Sequence, residues 1–154
     1  MVNNYNKLKK MYGLPDSKKL ADVLEIDIKT DQETLLLQTI RNEVADKLYE
    51  LMKILESILF TTEGSDAGLL YQENMIRGVS KDGFDLYKLF NELHYSGLKL
   101  RFKGDRKKDA EFINRIFKLW PELEKKLSLF FETIEKGWKE ININSEHKPE
   151  NYHG

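Results

Sequence analysis

The feature that most constrains this chain is a stretch of 31 residues, 30–60, that contains neither glycine nor proline. Its apolar residues recur at intervals of three and four, which is the spacing of one face of an α-helix. Thr30 followed by Glu33 matches a capping box, in which each side chain accepts a hydrogen bond from a backbone N–H that the helix leaves unpaired. The sequence therefore predicts one long amphipathic helix over about 30–60.

The apolar face of this helix is wide, which indicates how it is buried. One series of apolar residues repeats every seven positions, and a second series broadens the same stripe. A face this wide favours a multi-helix bundle over a two-stranded coiled coil. The two series comprise Leu37, Val44, Leu51 and Ile58, then Ala45, Met52 and Leu59.

Shorter helices are predicted on either side of the long one. Residues 17–24 follow a breaker at Pro15 and a cap at Asp16, which is typical of a short N-terminal helix. A second helix is predicted from a cap at Asp82 to about Phe102. Its last five residues alternate like a strand, but the helical stripe extends through them.

Two more helices are predicted toward the end of the chain. Asp105 is expected to cap a helix over 106–119, and Pro121 is expected to end it, because the residue before a proline avoids helical torsions. A final core-facing helix is then predicted from Pro121 onward, with one continuous helix kinked at Pro121 as the alternative. Three helices of about 14 to 22 residues would thus follow the long one. The predicted fold is an all-α multi-helix bundle in a single domain, 1–143, with a disordered tail over 144–154.

Composition agrees with a soluble globular protein. The 154 residues are 40% apolar and 33% charged, and no apolar run is long enough to span a membrane. The first 15 residues lack the apolar core of a secretion signal. The absence of cysteine excludes disulfides, thiolate zinc sites and cysteine nucleophiles. We therefore expect a cytoplasmic protein without a membrane contact.

Charges are sorted along the chain even though the net charge is only −1. Residues 1–20 carry +4, residues 21–66 carry eleven acids against four bases, and residues 101–126 carry nine bases against five acids. Such sorting has two interpretations: helices of opposite charge lie side by side in the bundle, or a basic face is presented to a polyanion.

The strongest local sign of function is the segment RFKGDRKK, residues 101–108, in which five bases surround a glycine break and a helix start. Backbone N–H groups and the dipole at a helix N-terminus attract phosphate. Phe102 would offer a stacking surface, whereas Asp105, Asp109 and Glu111 weaken the positive field. The candidate phosphate or nucleic-acid contacts are Arg101, Lys103, Arg106, Lys107, Lys108, Arg115 and Lys118.

A resemblance to the first half of a helix-turn-helix lies in LADVLEIDIKT, residues 20–30. The second half does not fit, because QETLLLQTI is acidic and apolar where a recognition helix offers polar and basic side chains. Glu25 also stands where the turn glycine is usual. Sequence-specific DNA recognition is therefore not expected.

No constellation for catalysis emerges. Two acidic sets could face each other around magnesium, as in a metal-dependent hydrolase of phosphorylated small molecules. They are Glu43, Asp46 and Glu50 on the long helix, and Glu132 and Glu135 on the last helix. Lysines at helical spacing make a solvated face the simpler interpretation. His94 is expected to be a boundary or satisfied core residue, and no phosphate-binding loop or nucleophile motif occurs.

These observations lead to a functional hypothesis by elimination. The chain is expected to be a non-enzymatic helical interaction protein or a subunit of a larger cytoplasmic assembly, with a protein partner or self-association, and without a catalytic residue, resident metal or cofactor. The alternative is a nucleic-acid-associated helical subunit that binds phosphates through residues 101–108. The metal-dependent hydrolase is a second alternative.

Overall fold

A computed structural model describes the backbone of residues 2–28, 32–60 and 77–145, and the side chains of 4–28, 32–60 and 81–139. Every regular element within these ranges is a helix, which confirms the predicted all-α multi-helix bundle with one long helix and short N-terminal helices. None of the described helices is both long and apolar enough to cross a membrane. The helices are α1 (Val2–Tyr12), α2 (Ser17–Leu24), α3 (Glu33–Leu59), α4 (Arg77–Lys103) and α5 (Arg106–Ser145).

Helix α3 corresponds to the long helix predicted from the sequence. The capping box cannot be compared, because Thr30 lies outside the described residues. The buried stripe is displaced toward the second apolar series, since Leu51 and Ile58 are half-buried. Its buried members are Leu36, Leu37, Ile40, Val44, Ala45, Leu48, Met52, Leu55 and Leu59.

Helices α1 and α2 are joined by a tight turn. Gly13 adopts φ +65°, and its N–H and that of Leu14 both donate to the Lys9 carbonyl, which closes α1 with a left-handed residue as helices commonly do. Asp16 occupies the N-cap position of α2, but its carboxylate makes no capping hydrogen bond and pairs with Lys9 instead. The predicted cap is therefore wrong in its contact. The hydrogen bond from the Lys9 side chain and the Lys9 charge lower the pKa of the Asp16 carboxyl.

The end of α2 shows what replaces the glycine of a helix-turn-helix. Glu25 takes the left-handed conformation at φ 55°, and the N–H groups of Glu25 and Ile26 donate to the carbonyls of Ala21 and Leu20. A non-glycine residue in this conformation costs about 1 kcal/mol. Residue 25 thus has the torsion expected of the missing glycine.

Helix α4 begins five residues earlier than predicted. It starts at Arg77, so Asp82 lies inside the helix and does not cap it. Glycine weakens a helix by only about 1 kcal/mol relative to alanine, and packing at Gly83 offsets that cost. Residues 98–102 are helical, and α4 ends at Lys103, one residue beyond the predicted end.

Helix α5 continues through Pro121, so the two separate helices predicted around this proline are wrong and the continuous alternative is correct. Proline has no N–H, and the carbonyl of Phe117 therefore loses its helical partner. Apolar burial on both sides of the proline outweighs that loss. The buried residues of this stripe are Ala110, Ile113, Ile116, Phe117, Trp120, Leu123, Leu127, Phe130 and Ile134.

Two compact units divide the chain. Unit 1 comprises Met1–Lys53 and Leu89–Pro121, and unit 2 comprises Ile54–Lys88 and Glu122–Gly154. The assignment of 1–143 to one domain stays a prediction. Within the predicted tail, residues 144 and 145 complete α5, and 146–154 lie outside the described residues.

Unit 1 contains α1, α2 and parts of the three long helices. Tyr5 is fully buried and its hydroxyl donates to the Pro15 carbonyl. Burial raises the pKa of Tyr5 far above its usual value, and the charge of Asp16 raises it further. Gly97 lies where an added Cβ would be 2.8 Å from Phe112 and 3.1 Å from Ala45, so α3 and α5 both approach α4 closely at this glycine.

In unit 2, the end of α3, the start of α4 and the second part of α5 pack together. A Cβ at Gly83 would lie 2.7 Å from the Phe130 ring and 2.8 Å from Leu59, so three helices meet at this glycine. Phe60 contacts the rings of Phe84 and Tyr87 at centroid distances of 5.4 and 5.3 Å. Apolar and aromatic side chains thus join these helices.

Candidate functional site

The α4–α5 turn, residues 101–108, is called the basic turn below. Asp105 caps α5 as predicted, since its Oδ1 accepts a hydrogen bond from the Lys108 backbone N–H at 2.8 Å. The Gly104 N–H donates to the Leu100 carbonyl at 2.9 Å. A Cβ at residue 104 would lie 2.3 Å from that same oxygen, so only glycine fits this tight turn.

A buried ion pair lies beneath the basic turn. The Nη1 of Arg41 donates to Asp109 Oδ1 at 2.8 Å and to the Leu100 carbonyl at 3.1 Å, while Nη2 donates to Asn42 Oδ1 at 2.9 Å. The side chains of Arg41 and Asp109 are only 3% and 7% exposed. Arg41 therefore ties α3 to the last turn of α4 and to the first turn of α5.

No sequence pattern indicates this pair. Arg41 stands beside Ile40 on a helix whose polar positions are typical of a solvated face, and the sequence suggests only that Asp109 weakens the positive charge of the turn. The two residues are separated by 68 positions, so no local pattern connects them. A charged residue next to an apolar stripe was the only available signal.

Three of the seven predicted contact residues have acidic partners within unit 1. Arg101 lies 3.8 Å from Asp46, and its Nε donates to Asn42 at 3.3 Å. The other two pairs are Arg106 with Glu33 at 4.0 Å and Arg115 with Glu92 at 3.5 Å. These are partly exposed pairs, each contributing about 0 to 1 kcal/mol. Charge sorting in the sequence thus places oppositely charged helices side by side here.

The remaining four contact residues are lysines with a different environment. Each is exposed, and none has an ion-pair partner among the residues that the structure describes. Phe102 stands between Arg101 and Lys103 with 87% of its surface exposed. The basic turn therefore presents an exposed aromatic ring together with lysines that form no ion pair with a described residue. The lysines are Lys103, Lys107, Lys108 and Lys118.

The acidic residues considered as metal ligands do not converge. Asp46 faces Arg101, and Glu50 lies 3.6 Å from Lys47 on its own helix. Within the described ranges, no group of three or more His, Asp or Glu side chains is placed to hold a metal ion. The metal-dependent hydrolase stays a hypothesis that these contacts do not support.

The second acidic pair belongs to a shallow depression in unit 2. Glu132 and Glu135 line it together with lysines of the same helix, and Glu135 lies 3.3 Å from Lys139. This i,i+4 ion pair is an ordinary feature of a solvated helix face. The volume of the depression is about 400 Å³, and its described lining residues are Leu129, Glu132, Thr133, Glu135, Lys136 and Lys139.

His94 is buried and hydrogen-bonded, as expected for a satisfied core histidine. Its Nδ1 lies 3.2 Å from the carbonyl oxygen of Ala45, and because a carbonyl only accepts, Nδ1 carries the hydrogen. The rings of Tyr49 and Tyr95 lie 5.1 and 5.4 Å from the imidazole. Both tyrosines are substantially exposed, so an aromatic cluster reaches the surface here.

No protein-family model, curated protein or solved structure matches this chain. The assignment of a function therefore depends on the geometry described above.

Proposed function

We propose that this chain is a nucleic-acid-associated helical subunit and that its basic turn binds the phosphates of a nucleic acid. The observation that carries the proposal is the environment of Phe102. The ring is 87% exposed, and Lys103, Lys107 and Lys108 beside it have no ion-pair partner among the described residues.

The chemistry of this surface suits a nucleic acid. Lysine ammonium groups that are free of internal partners can replace the counterions of a phosphate backbone, which makes binding favourable at low salt. An exposed aromatic ring can stack on a base. The basic turn combines both features within eight residues.

One nearby acidic residue opposes this less than the sequence suggested. Asp109 is buried and paired with Arg41, so its charge is compensated inside the protein. Asp105 is exposed and keeps its negative charge while its carboxylate accepts a hydrogen bond from the Lys108 N–H. Asp105 and the exposed Glu111 therefore remain as opposing charges.

The test is the fluorescence anisotropy of labelled single-stranded and duplex oligonucleotides at about 50 and 200 mM salt. With about four phosphate contacts, single-strand affinity should fall roughly 50-fold over this range. Reversing Lys103, Lys107 and Lys108 to Glu should abolish binding. A matched control reverses three other exposed lysines, Lys18, Lys19 and Lys126, and should retain most of it. No binding at 50 mM, or equal loss in both variants, would contradict the proposal.

A second candidate, assembly with a protein partner or with another copy, is favoured by the aromatic cluster around His94. Tyr49 and Tyr95 are 42% and 62% exposed, and tyrosine is enriched at protein interfaces. Light scattering during gel filtration should then show a defined oligomer that Tyr95→Ala dissociates. A monomer in both proteins would contradict self-association through this cluster.

A further inference from the structure

We propose that α1 completes the nucleic-acid site, so that unit 1 binds a single strand across both α1 and the basic turn. This inference rests on the proposed nucleic-acid function and adds a second protein segment and a preferred ligand class. It concerns α1 and the basic turn, two basic segments of unit 1 that are far apart in the sequence.

Contacts at the middle and at the C-terminal end of α1 place it beside the first turns of α5. Lys7 Nζ and Arg106 Nη1 approach the same carboxylate oxygen, Glu33 Oε1, at 3.3 and 4.0 Å. Farther along, Asn114 Nδ2 donates to the Tyr12 carbonyl at 3.0 Å. Helix α1 and the first turns of α5 therefore form adjoining surfaces within unit 1.

The charge of this joint surface is positive. Glu33 is a single carboxylate shared by two cations, so it compensates only one of them. Lys10 lies three residues after Lys7, which places both on one face of α1, and both are exposed. Lys107, the residue after Arg106, is exposed and adds a further positive charge to the first turn of α5. A phosphate backbone following these cations would contact both segments.

Phe102 favours a single strand over a duplex. A duplex buries the faces of its bases in the stack, whereas a single strand can turn a base onto an exposed ring. An anionic membrane is a weaker match, because stable membrane attachment combines basic charge with a larger apolar surface, and Phe102 is the one large apolar side chain of the basic turn.

The experiment compares two lysine pairs in the full chain. Affinity is measured for a labelled oligothymidylate of about 12 nucleotides, for a duplex of equal length and for vesicles containing phosphatidylserine. Lys7→Gln with Lys10→Gln should weaken single-strand binding about 10-fold and reduce the salt slope by about 1.4. Lys18→Gln with Lys19→Gln removes the same charge from α2 and should leave both values unchanged.

The stacking step has its own matched pair. Phe102→Ala should weaken single-strand binding about 5- to 100-fold and leave duplex binding unchanged. Phe84→Ala removes an exposed ring from unit 2 and should leave both unchanged. Circular dichroism melting checks that each variant folds.

The possible failures are distinguishable. Wild-type protein that binds no nucleic acid overturns the proposed function itself. Wild-type binding that the basic-turn reversal abolishes but the α1 pair leaves intact overturns the role of α1 alone. Equal affinity for duplex and single strand, with no effect of Phe102→Ala, overturns the single-strand preference. Binding to anionic vesicles alone assigns the surface to a membrane.

Discussion

Units 1 and 2 are built with different side-chain chemistry, although α3, α4 and α5 contribute to both. Within the described residues, all three buried polar or charged side chains, Arg41, His94 and Asp109, belong to unit 1. In unit 2, Gly83 allows Leu59 and Phe130 to approach, and aromatic rings pack nearby. The same three helices therefore contain a buried ion pair in unit 1 and apolar packing in unit 2.

This difference determines how each unit should respond to substitution. A buried ion pair adds little net folding stability, because the desolvation of both charges offsets their attraction. The loss of one member, however, leaves the other charge buried without a partner. Apolar contacts between rotatable side chains can adjust when a neighbour changes. Unit 1 should thus be sensitive to single changes that unit 2 tolerates, and the following predictions test this from the largest effect to the smallest.

The largest effect is expected from Asp109→Ala. This change leaves the Arg41 guanidinium buried without its carboxylate and should lower the free energy of unfolding by about 3 to 5 kcal/mol. Urea unfolding followed by circular dichroism measures it. The double variant Arg41→Met with Asp109→Leu removes both charges and should lie near the wild type. A double variant as unstable as Asp109→Ala would show that packing, and not the unpaired charge, dominates.

A middle-sized effect separates two glycines. Gly97→Ala should have a net cost of up to about 2 kcal/mol, because its Cβ would lie 3.1 Å from the Cβ of Ala45, which is fixed to the α3 backbone, and this clash exceeds the gain of about 1 kcal/mol in helix propensity. Gly83→Ala meets the ends of the Leu59 and Phe130 side chains, which can rotate, and gains about 1 kcal/mol of helix propensity.

The Gly83 variant should therefore unfold within about 1 kcal/mol of the wild type. Thermal and urea unfolding of both variants under the same conditions gives the comparison. A larger cost at Gly83 than at Gly97 would reverse the contrast between the two units.

The smallest effect is expected at Pro121, the last residue of the unit 1 segment. Pro121→Ala restores an N–H for the Phe117 carbonyl and should stabilise the protein by about 1 kcal/mol, part of the roughly 3 kcal/mol that separates proline from alanine inside a helix. Hydrogen exchange of the amides on either side of residue 121 measures where protection rises. Unchanged exchange together with unchanged unfolding would contradict the gain.

Local signals in the sequence were sufficient where one element determines the outcome. Helix α2 has the predicted bounds, and Asp105 caps α5, because a breaker or capping residue acts within a few positions. At Pro121 the local signal gave the wrong prediction, since the helix continues through this residue. Its effect on the backbone is local, but burial of Phe117, Trp120 and Leu123 on both sides exceeds the cost of the missing hydrogen bond.

The sequence shows which bases the turn contains, but it does not show which of them form ion pairs. Arginine and lysine are equally good candidates for a phosphate contact in the sequence. In the structure Arg101 and Arg106 reach the acidic partners Asp46 and Glu33 on α3, which lie 55 and 73 positions away in the chain. Ion pairing over such separations depends on helix packing. The sequence alone therefore does not distinguish the paired arginines from the lysines that have no described ion-pair partner.

The Leu100 carbonyl accepts hydrogen bonds from both the Gly104 N–H and the Arg41 guanidinium, and this has a consequence for how the surface of the protein can evolve. These donors hold the backbone of the turn from inside, and the exposed side chains of Phe102, Lys103 and Lys107 form no hydrogen bond or ion pair with a residue that the structure describes. Substitutions at these three positions should therefore leave the folding stability nearly unchanged, so the chemistry of this surface can vary without a compensating change in the core.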